Sequence, residues 1–249
     1  MSFDETGTVR YAGGNMLLDQ LPMAERPEVL ADVRVARVES SDLISRDGSV
    51  ISEVIFPVDA LMSLTARLHD GSAYEVGTVG RQGAVGIEAS FGVATLSRAT
   101  ICQIDGSYAA IPRAAFLRHV EHRPSFRLAV QRAYAAQLFA AEQTLTCNVA
   151  HSIGERTARW LLTVAHQIGT TTFRLREEFL AMMLGQPDAR SLLGVQTLVE
   201  FGAIGYENEM VSIRDAAILQ DATCECYGIL RAYWAALTEH HNGSAAAYE

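Results

Sequence analysis

The hydrophobic period of this chain changes near Pro112 from strand-like to helical, and that change limits the folds open to it. Before it, from Asp47 onward, apolar residues run in short blocks: Ile51, Val54-Ile55-Phe56, Leu61-Met62-Ser63-Leu64, Tyr74-Glu75-Val76, Ile101-Cys102-Gln103-Ile104 and Tyr108-Ala109-Ala110-Ile111. Turn formers separate them at Asp47-Gly48, Pro57-Val58-Asp59, Asp70-Gly71 and Asp105-Gly106. Strands this short and this closely punctuated predict a sandwich, barrel or jelly roll. Residues 15 to 38, with Pro22 and Pro27, read as a short helical lead-in with little chemistry. After Pro112 helical spacing takes over, so the expected class is α+β: a β-roll first, helices after it.

The first long helical run extends from Pro124 to about Cys147. Phe126, Val130, Ala133, Gln137, Ala140, Thr144 and Cys147 recur in it at spacings of three and four, a narrow stripe suited to packing against a second copy of itself. Roughly 24 residues at 1.5 Å each span about 36 Å, more than one small domain needs. A symmetric dimer seam is the expectation; the alternative is a long helix lying on its own roll. A second helix follows, with Glu155, Arg156 and Arg159 expected outside and Ala158, Trp160, Leu161, Leu162 and Val164 inside.

Residues 173 to 204 read as helix, turn and helix. Phe179, Leu180, Met183 and Leu184 share one helical face, Gly185 can turn the chain, and Leu192, Leu193, Val195, Leu198 and Val199 form the second periodic run. Gly202 would cap that run, and Ile204-Gly205-Tyr206 with Met210-Val211-Ser212-Ile213 reads as a hairpin. The unit resembles a winged helix-turn-helix, whose second helix would enter a DNA major groove; an ordinary helical hairpin in a core is the alternative. A closing helix is expected from Ala216 to Leu237.

Composition sets the remaining bounds. The 249 residues, 49% hydrophobic and 20% charged, suit one or two globular domains. No apolar run reaches membrane-spanning length and the polar start MSFDETGTVR lacks the features of a signal peptide, so a cytoplasmic location with no membrane partner is expected. All 20 basic residues are arginine, and a net charge of −9 argues against broad nucleic-acid affinity while leaving room for a local basic face. Cys102, Cys147, Cys224 and Cys226 are too few and scattered for a disulfide framework. Cys224 and Cys226 form a CxC pair, a weak metal signal without two further ligands at matching spacing, so partly buried thiols and no metal site are expected. The loop Val79-Gly80-Arg81-Gln82-Gly83-Ala84-Val85-Gly86 has three glycines that would either admit a ligand close to the backbone or serve turns needing positive φ. It lacks a P-loop lysine, and no nucleophile, base and orienting group stand together, so neither a catalytic residue nor a cofactor is expected.

A roll ending in a long helix and followed by a winged helix resembles the Crp/Fnr family of bacterial transcription regulators. The resemblance rests on VIFPVDALMSLTARLHDGSAYEVGTVGRQGAVG in the roll, GERTARWLL after the long helix, EFLAMMLG in the helix-turn-helix and CECY in the last helix. It implies a cyclic-nucleotide-binding-like β-roll over residues 1–118, a dimerisation helix over 119–150 and a winged helix-turn-helix over 151–249. It also implies a homodimer that binds double-stranded DNA, RNA polymerase as a further partner, and an effector that is an unidentified small molecule or absent.

The sequence departs from the family pattern in three places. Where cyclic-nucleotide-binding members have Gly-Glu-Leu and Arg-Ser, this chain has Gly86-Ile87-Glu88 and Arg98-Ala99, and the long helix offers Ala141 and Glu142 in place of hydroxyls. Gly80, Gly83, Gly86, Arg98 and Glu142 are the implied effector-pocket residues, and the changes among them argue against cyclic AMP. No cysteine precedes Cys102, which excludes the N-terminal iron–sulfur cluster of oxygen-sensing members, while haem binding stays open, with His69, His119, His122 and His151 all candidate ligands that nothing further in the sequence supports. The recognition helix, where a basic pair is common, has Pro187-Asp188, and the wing has Glu207-Asn208-Glu209; residues 151–249 carry seven arginines against twelve acids. Arg190 and Ser191, with Gln196 and Thr197 further along, are the implied base readers, and Arg174 and Arg176 the implied phosphate clamps. The rival reading is a family member with weakened or lost DNA binding that acts through protein contact.

Overall fold

The computed structural model describes residues 11–185 and 191–239. The lead-in forms two short helices, α1 (Met16–Asp19) and α2 (Arg26–Leu30). The buried Asn15 caps α1 and gives its Nδ2 to the carbonyls of Pro57 at 2.8 Å and Gly83 at 3.1 Å, tying the lead-in to the roll. The end of the expected helical lead-in is instead a strand, β1 (Arg34–Val38), whose β-forming valines pair along β7.

The roll continues through β2 (Leu43–Ser45), β3 (Glu53–Pro57), β4 (Leu61–Arg67), β5 (Ala73–Val79), a 3-10 turn (Ile87–Phe91), β6 (Ala99–Ile104) and β7 (Gly106–Pro112). Five of these strands, all but β1 and β2, fall on the alternating runs of the sequence. They make two antiparallel sheets, in the orders β1-β7-β3 and β2-β6-β4-β5. One core lies within them: Val54, Phe56 and Ile111 from one sheet meet Met62, Val79 and Cys102 from the other.

Helices follow from Pro112 as expected: α3 (Arg113–His122), then α4 (Pro124–Ala150), started by proline at its first position and 27 residues long, about 40 Å. Its stripe does not face away from the protomer. Phe126, Val130 and Ala133 are buried in the roll's own core, and Gln137 gives its Nε2 to the carbonyl of Ala84 at 3.1 Å. For this part of the expected seam the alternative holds, because the roll's hydrophobic opening needs that face. Ala136 and the half-buried Ala140 pack instead against Leu230 and Trp234 of the last helix.

Ser152 and Glu155 form a reciprocal capping box that opens α5 (Ile153–Ile168). Then come β8 (Thr172–Arg174), α6 (Glu177–Leu184), α7 (Ser191–Glu200), β9 (Ile204–Glu207), β10 (Met210–Ile213), α8 (Ala216–Asp221) and α9 (Cys226–Glu239). The three short strands form a sheet in the order β8-β10-β9. A second core gathers α5, α6 and α7 around Trp160, Leu161 and Leu180, and takes in Leu61 and Ile104 from the roll. Arg156 and Arg159 are therefore buried, not exposed, because α5 is covered on every side. Arg156 gives its Nη2 to the carbonyl of Leu184 at 2.9 Å, satisfying an orphan acceptor at the end of α6. Among the described residues no helix is long and apolar enough to cross a membrane.

Candidate nucleic-acid interface and sensor cavity

The two helices of the expected helix-turn-helix, α6 and α7, form where the sequence places them. Phe179, Leu180, Met183 and Leu184 are all buried, and Gly185 ends α6 in the left-handed region at φ 63°. On α7 the inward residues are Val195 and Leu198, with Leu192 half-buried; Leu193 and Val199, expected on the same face, point to solvent. Gly194 explains the rotation, since it lets α7 approach α5 so closely that a Cβ there would stand 2.4 Å from Thr157 Oγ1. Gly202 ends α7 at φ 73°, and the wing turns through Asn208 and Glu209, both at positive φ. Tyr206 donates its hydroxyl to the carbonyl of Leu175, holding the wing to the segment that enters α6.

The expected readers separate into three groups. Gln196 and Thr197 are exposed on α7, with the Thr197 hydroxyl turned back to the carbonyl of Leu193 at 2.9 Å. Arg190, the side chain of Ser191, Pro187 and Asp188 lie outside the described residues. Arg174 and Arg176, expected to clamp phosphate, are engaged within the protein. Arg174 Nε lies 3.1 Å from the Glu209 carboxylate, and Arg176 Nη1 donates to Ser41 Oγ at 3.0 Å and stands 3.7 Å from Glu178. Ser41 belongs to the turn before β2 and donates in turn to Glu178 at 3.2 Å, so the start of α6 is fastened to the roll. The outer surface of this unit also carries Phe201 and Met210, both exposed.

In the roll, the three loop glycines serve the chain itself. A Cβ on Gly80 would lie 2.6 Å from Gln167 Cβ, on Gly83 3.0 Å from Val79 Cγ1, and Gly86 sits at φ +82° against Ile51. Arg81 N–H donates to the carbonyl of Gln167 at 3.0 Å, so this loop is the roll's contact with α5. Gly86 and Arg98 do line one cavity, of about 50 Å³, together with Glu88, Leu96 and Gln137. Glu142 is exposed on α4 and is not in that lining, whereas Gln137, expected in the dimer seam, is. Ile87, at the position of the missing carboxylate, is buried and is not in that lining.

The histidines do not converge. His69 and His122 are exposed, and His119 is buried with Nε2 2.7 Å from Asp32 and Nδ1 accepting from Arg123. His151 instead joins Cys147, Cys224 and Cys226, whose ligand atoms all lie within 4.8 Å of one another. The cysteines are fully buried, not partly, and the CxC pair has the partners that its spacing could not show.

The fold is that of the Crp/Fnr transcriptional regulators. No protein-family model matches the sequence, and no curated protein matches it. Solved structures do. FixK2 from Bradyrhizobium japonicum aligns with a TM-score of 0.67 at 15% identity, over 77% of this chain and 98% of that one. The c-di-GMP responsive global regulator CLP from Xanthomonas campestris gives 0.62 at 14%, over 77% and 99%. A CRP-family transcriptional regulator from Thermus thermophilus, TTHB099, gives 0.59 at 19%, over 75% and 95%. CLP and TTHB099 are regulators, and at 14–19% identity the present chain shares the fold of all three.

Proposed function

We propose that this chain is a DNA-binding transcription regulator that acts as a homodimer, with residues 1–118 as sensor, 119–150 as dimerisation segment and 151–249 as DNA-binding unit. The observation that carries the reading is the pair of helices α6 and α7 followed by the wing hairpin, with Gln196 and Thr197 exposed on α7. The dimer seam belongs on the part of α4 that the roll leaves open, where Leu138, Leu145 and Val149 are exposed and Ala141 half-buried at spacings of three and four. RNA polymerase is the further partner that a regulator of this type implies.

The effector is not cyclic AMP. A ribose would need a carboxylate at position 87, where the chain has the buried Ile87, and the long helix carries the exposed Glu142 in place of a hydroxyl. Calorimetry should detect no cyclic AMP binding up to about a millimolar, a ceiling near −4 kcal/mol.

A second reading is supported by the composition of the same surface. Its described arginines are paired with acids, and Leu193, Val199 and Phe201 are exposed along with Gln196 and Thr197, as is Met210 on the wing, which suits a protein partner. Genomic footprinting of the tagged protein separates the two. The regulator reading expects an enriched two-fold sequence with half-sites about 34 Å apart and a shallow salt dependence. A footprint with no enriched sequence gives the surface to a protein partner.

A further inference from the structure

Where α4 ends, Cys147 and His151 stand four residues apart on one helical face, and the break between α8 and α9 brings Cys224 and Cys226 against them. Cys147 Sγ lies 3.6 Å from Cys224 Sγ, and Cys226 Sγ lies 3.7 Å from His151 Nδ1. Ligands about 2.3 Å (sulfur) and 2.0 Å (nitrogen) from one tetrahedral ion stand roughly 3.5–3.8 Å from each other, so both edges already have that length. We propose that Cys147, His151, Cys224 and Cys226 form a structural site for a single thiophilic divalent ion, zinc by preference, that fastens the end of α4 to the start of α9.

The surroundings fit an ion better than they fit plain thiol packing. The three cysteines make a small core of their own that contains no aliphatic side chain. His151 has its second nitrogen, Nε2, 3.2 Å from the Glu225 carboxylate, which would fix Nδ1 as the ligand and hold the ring. Gln143 Nε2 lies 3.1 Å from Cys226 Sγ, as a donor to a ligand sulfur would. Three thiolates, a neutral imidazole and a divalent ion sum to one negative charge. The buried guanidinium of Arg159, electrostatically coupled to Cys147, is placed to offset it, and its Nε has no hydrogen-bond partner among the described residues. The break in the expected closing helix has the same explanation. In a continuous helix residues i and i+2 point about 200° apart, and both cysteines could not face one ion.

The position gives the site a task. His151 caps α4 and Ser152 caps α5, so the four ligands surround the joint at which the chain leaves the long helix. Binding would release the thiol protons, since burial raises Cys147 and pushes Cys224 up to about 12 when no ion is bound.

The test uses the full chain purified without chelator and does not depend on DNA binding. Metal analysis should find about one zinc per chain, and replacement by cobalt(II) should give the thiolate charge-transfer and strong visible bands of a tetrahedral site. Stripping with a chelator should lower the melting temperature, and zinc alone should restore it. Cys226→Ser and His151→Ala should lose the metal, while Cys102→Ala, a buried cysteine outside the cluster, should keep it. A folded, reduced chain that holds no zinc and gains no stability from it would overturn the proposal. So would iron with sulfide at these residues, or a Cys147–Cys224 disulfide as the native state.

Discussion

Arg174, at the end of β8, directs its Nε to the carboxylate of Glu209 at the tip of the wing, 3.1 Å away. The pair neutralises a cation on the surface where the proposed function needs one. Both side chains are over two-fifths exposed, so the bridge is worth at most about 1 kcal/mol and is easily exchanged for another anion. Glu209→Gln should free Arg174 and tighten binding to any duplex, with a steeper salt dependence. Arg174→Ala should weaken binding without altering sequence preference, because a phosphate contact carries no sequence information. Filter binding at several salt concentrations reads both, and equal affinities for wild type and Glu209→Gln would mean that Arg174 never meets DNA.

The dimer prediction depends on which face of α4 is free. Leu138 is 52% exposed and Ala133 is 5% exposed against the roll. Leu138→Glu should bring like charges together across a two-fold axis and yield a folded monomer in sedimentation. Ala133→Glu should bury a charge in the roll's own core and unfold the chain, which circular dichroism would show. A dimer that survives Leu138→Glu and Leu145→Glu would place the seam off this helix.

The contrast between those two positions shows where sequence reading stops. Periodicity identified α4 and its apolar stripe correctly, but spacing alone does not tell whether a stripe meets a second copy or the roll encoded earlier in the same chain. The alternating runs located β3 to β7 for the opposite reason: each strand carries its own pattern and its own turn residues. β1 escaped because a strand at the end of a proline-interrupted segment has no turn signal of its own. The exposed Leu193 on α7 was misassigned because Gly194, which sets the rotation, acts through Thr157 on another helix. Cys147 and Cys224, 77 residues apart, meet only in the folded chain.

Glu75 on β5 makes stability depend on pH. Its carboxylate accepts from Ser63 Oγ at 2.8 Å and faces Trp160 and Arg159 of α5, and burial raises its pKa from 4.5 to about 7. Between those values the folded chain keeps a proton that the unfolded chain releases, so stability falls as pH rises from about 4.5 and the loss is complete above about 7. The contribution is at most about 3 kcal/mol. Glu75→Gln should remove this slope, matching wild type near pH 4.5 and exceeding it at pH 8 in denaturant titrations. Parallel pH profiles would show that the carboxylate is ionised in the native fold.

Gly194 tests the packing that orients the second helix of the helix-turn-helix. Alanine in a helix interior is favoured over glycine by about 1 kcal/mol, so propensity alone predicts a gain. The added Cβ would stand 2.4 Å from Thr157 Oγ1 and 3.0 Å from its Cβ. Thr157 is fully buried and its hydroxyl donates to the carbonyl of Ile153 at 2.7 Å, so it cannot swing away without losing that bond. Overpacking of this kind costs about 1–3 kcal/mol, and the clash should win. Gly228 on α9 is the control, because a Cβ there meets nothing within 4 Å. Gly228→Ala should raise the melting temperature and Gly194→Ala should lower it. If both raise it, α7 is free to move off α5, and the exposed position of Leu193 is not fixed by the glycine.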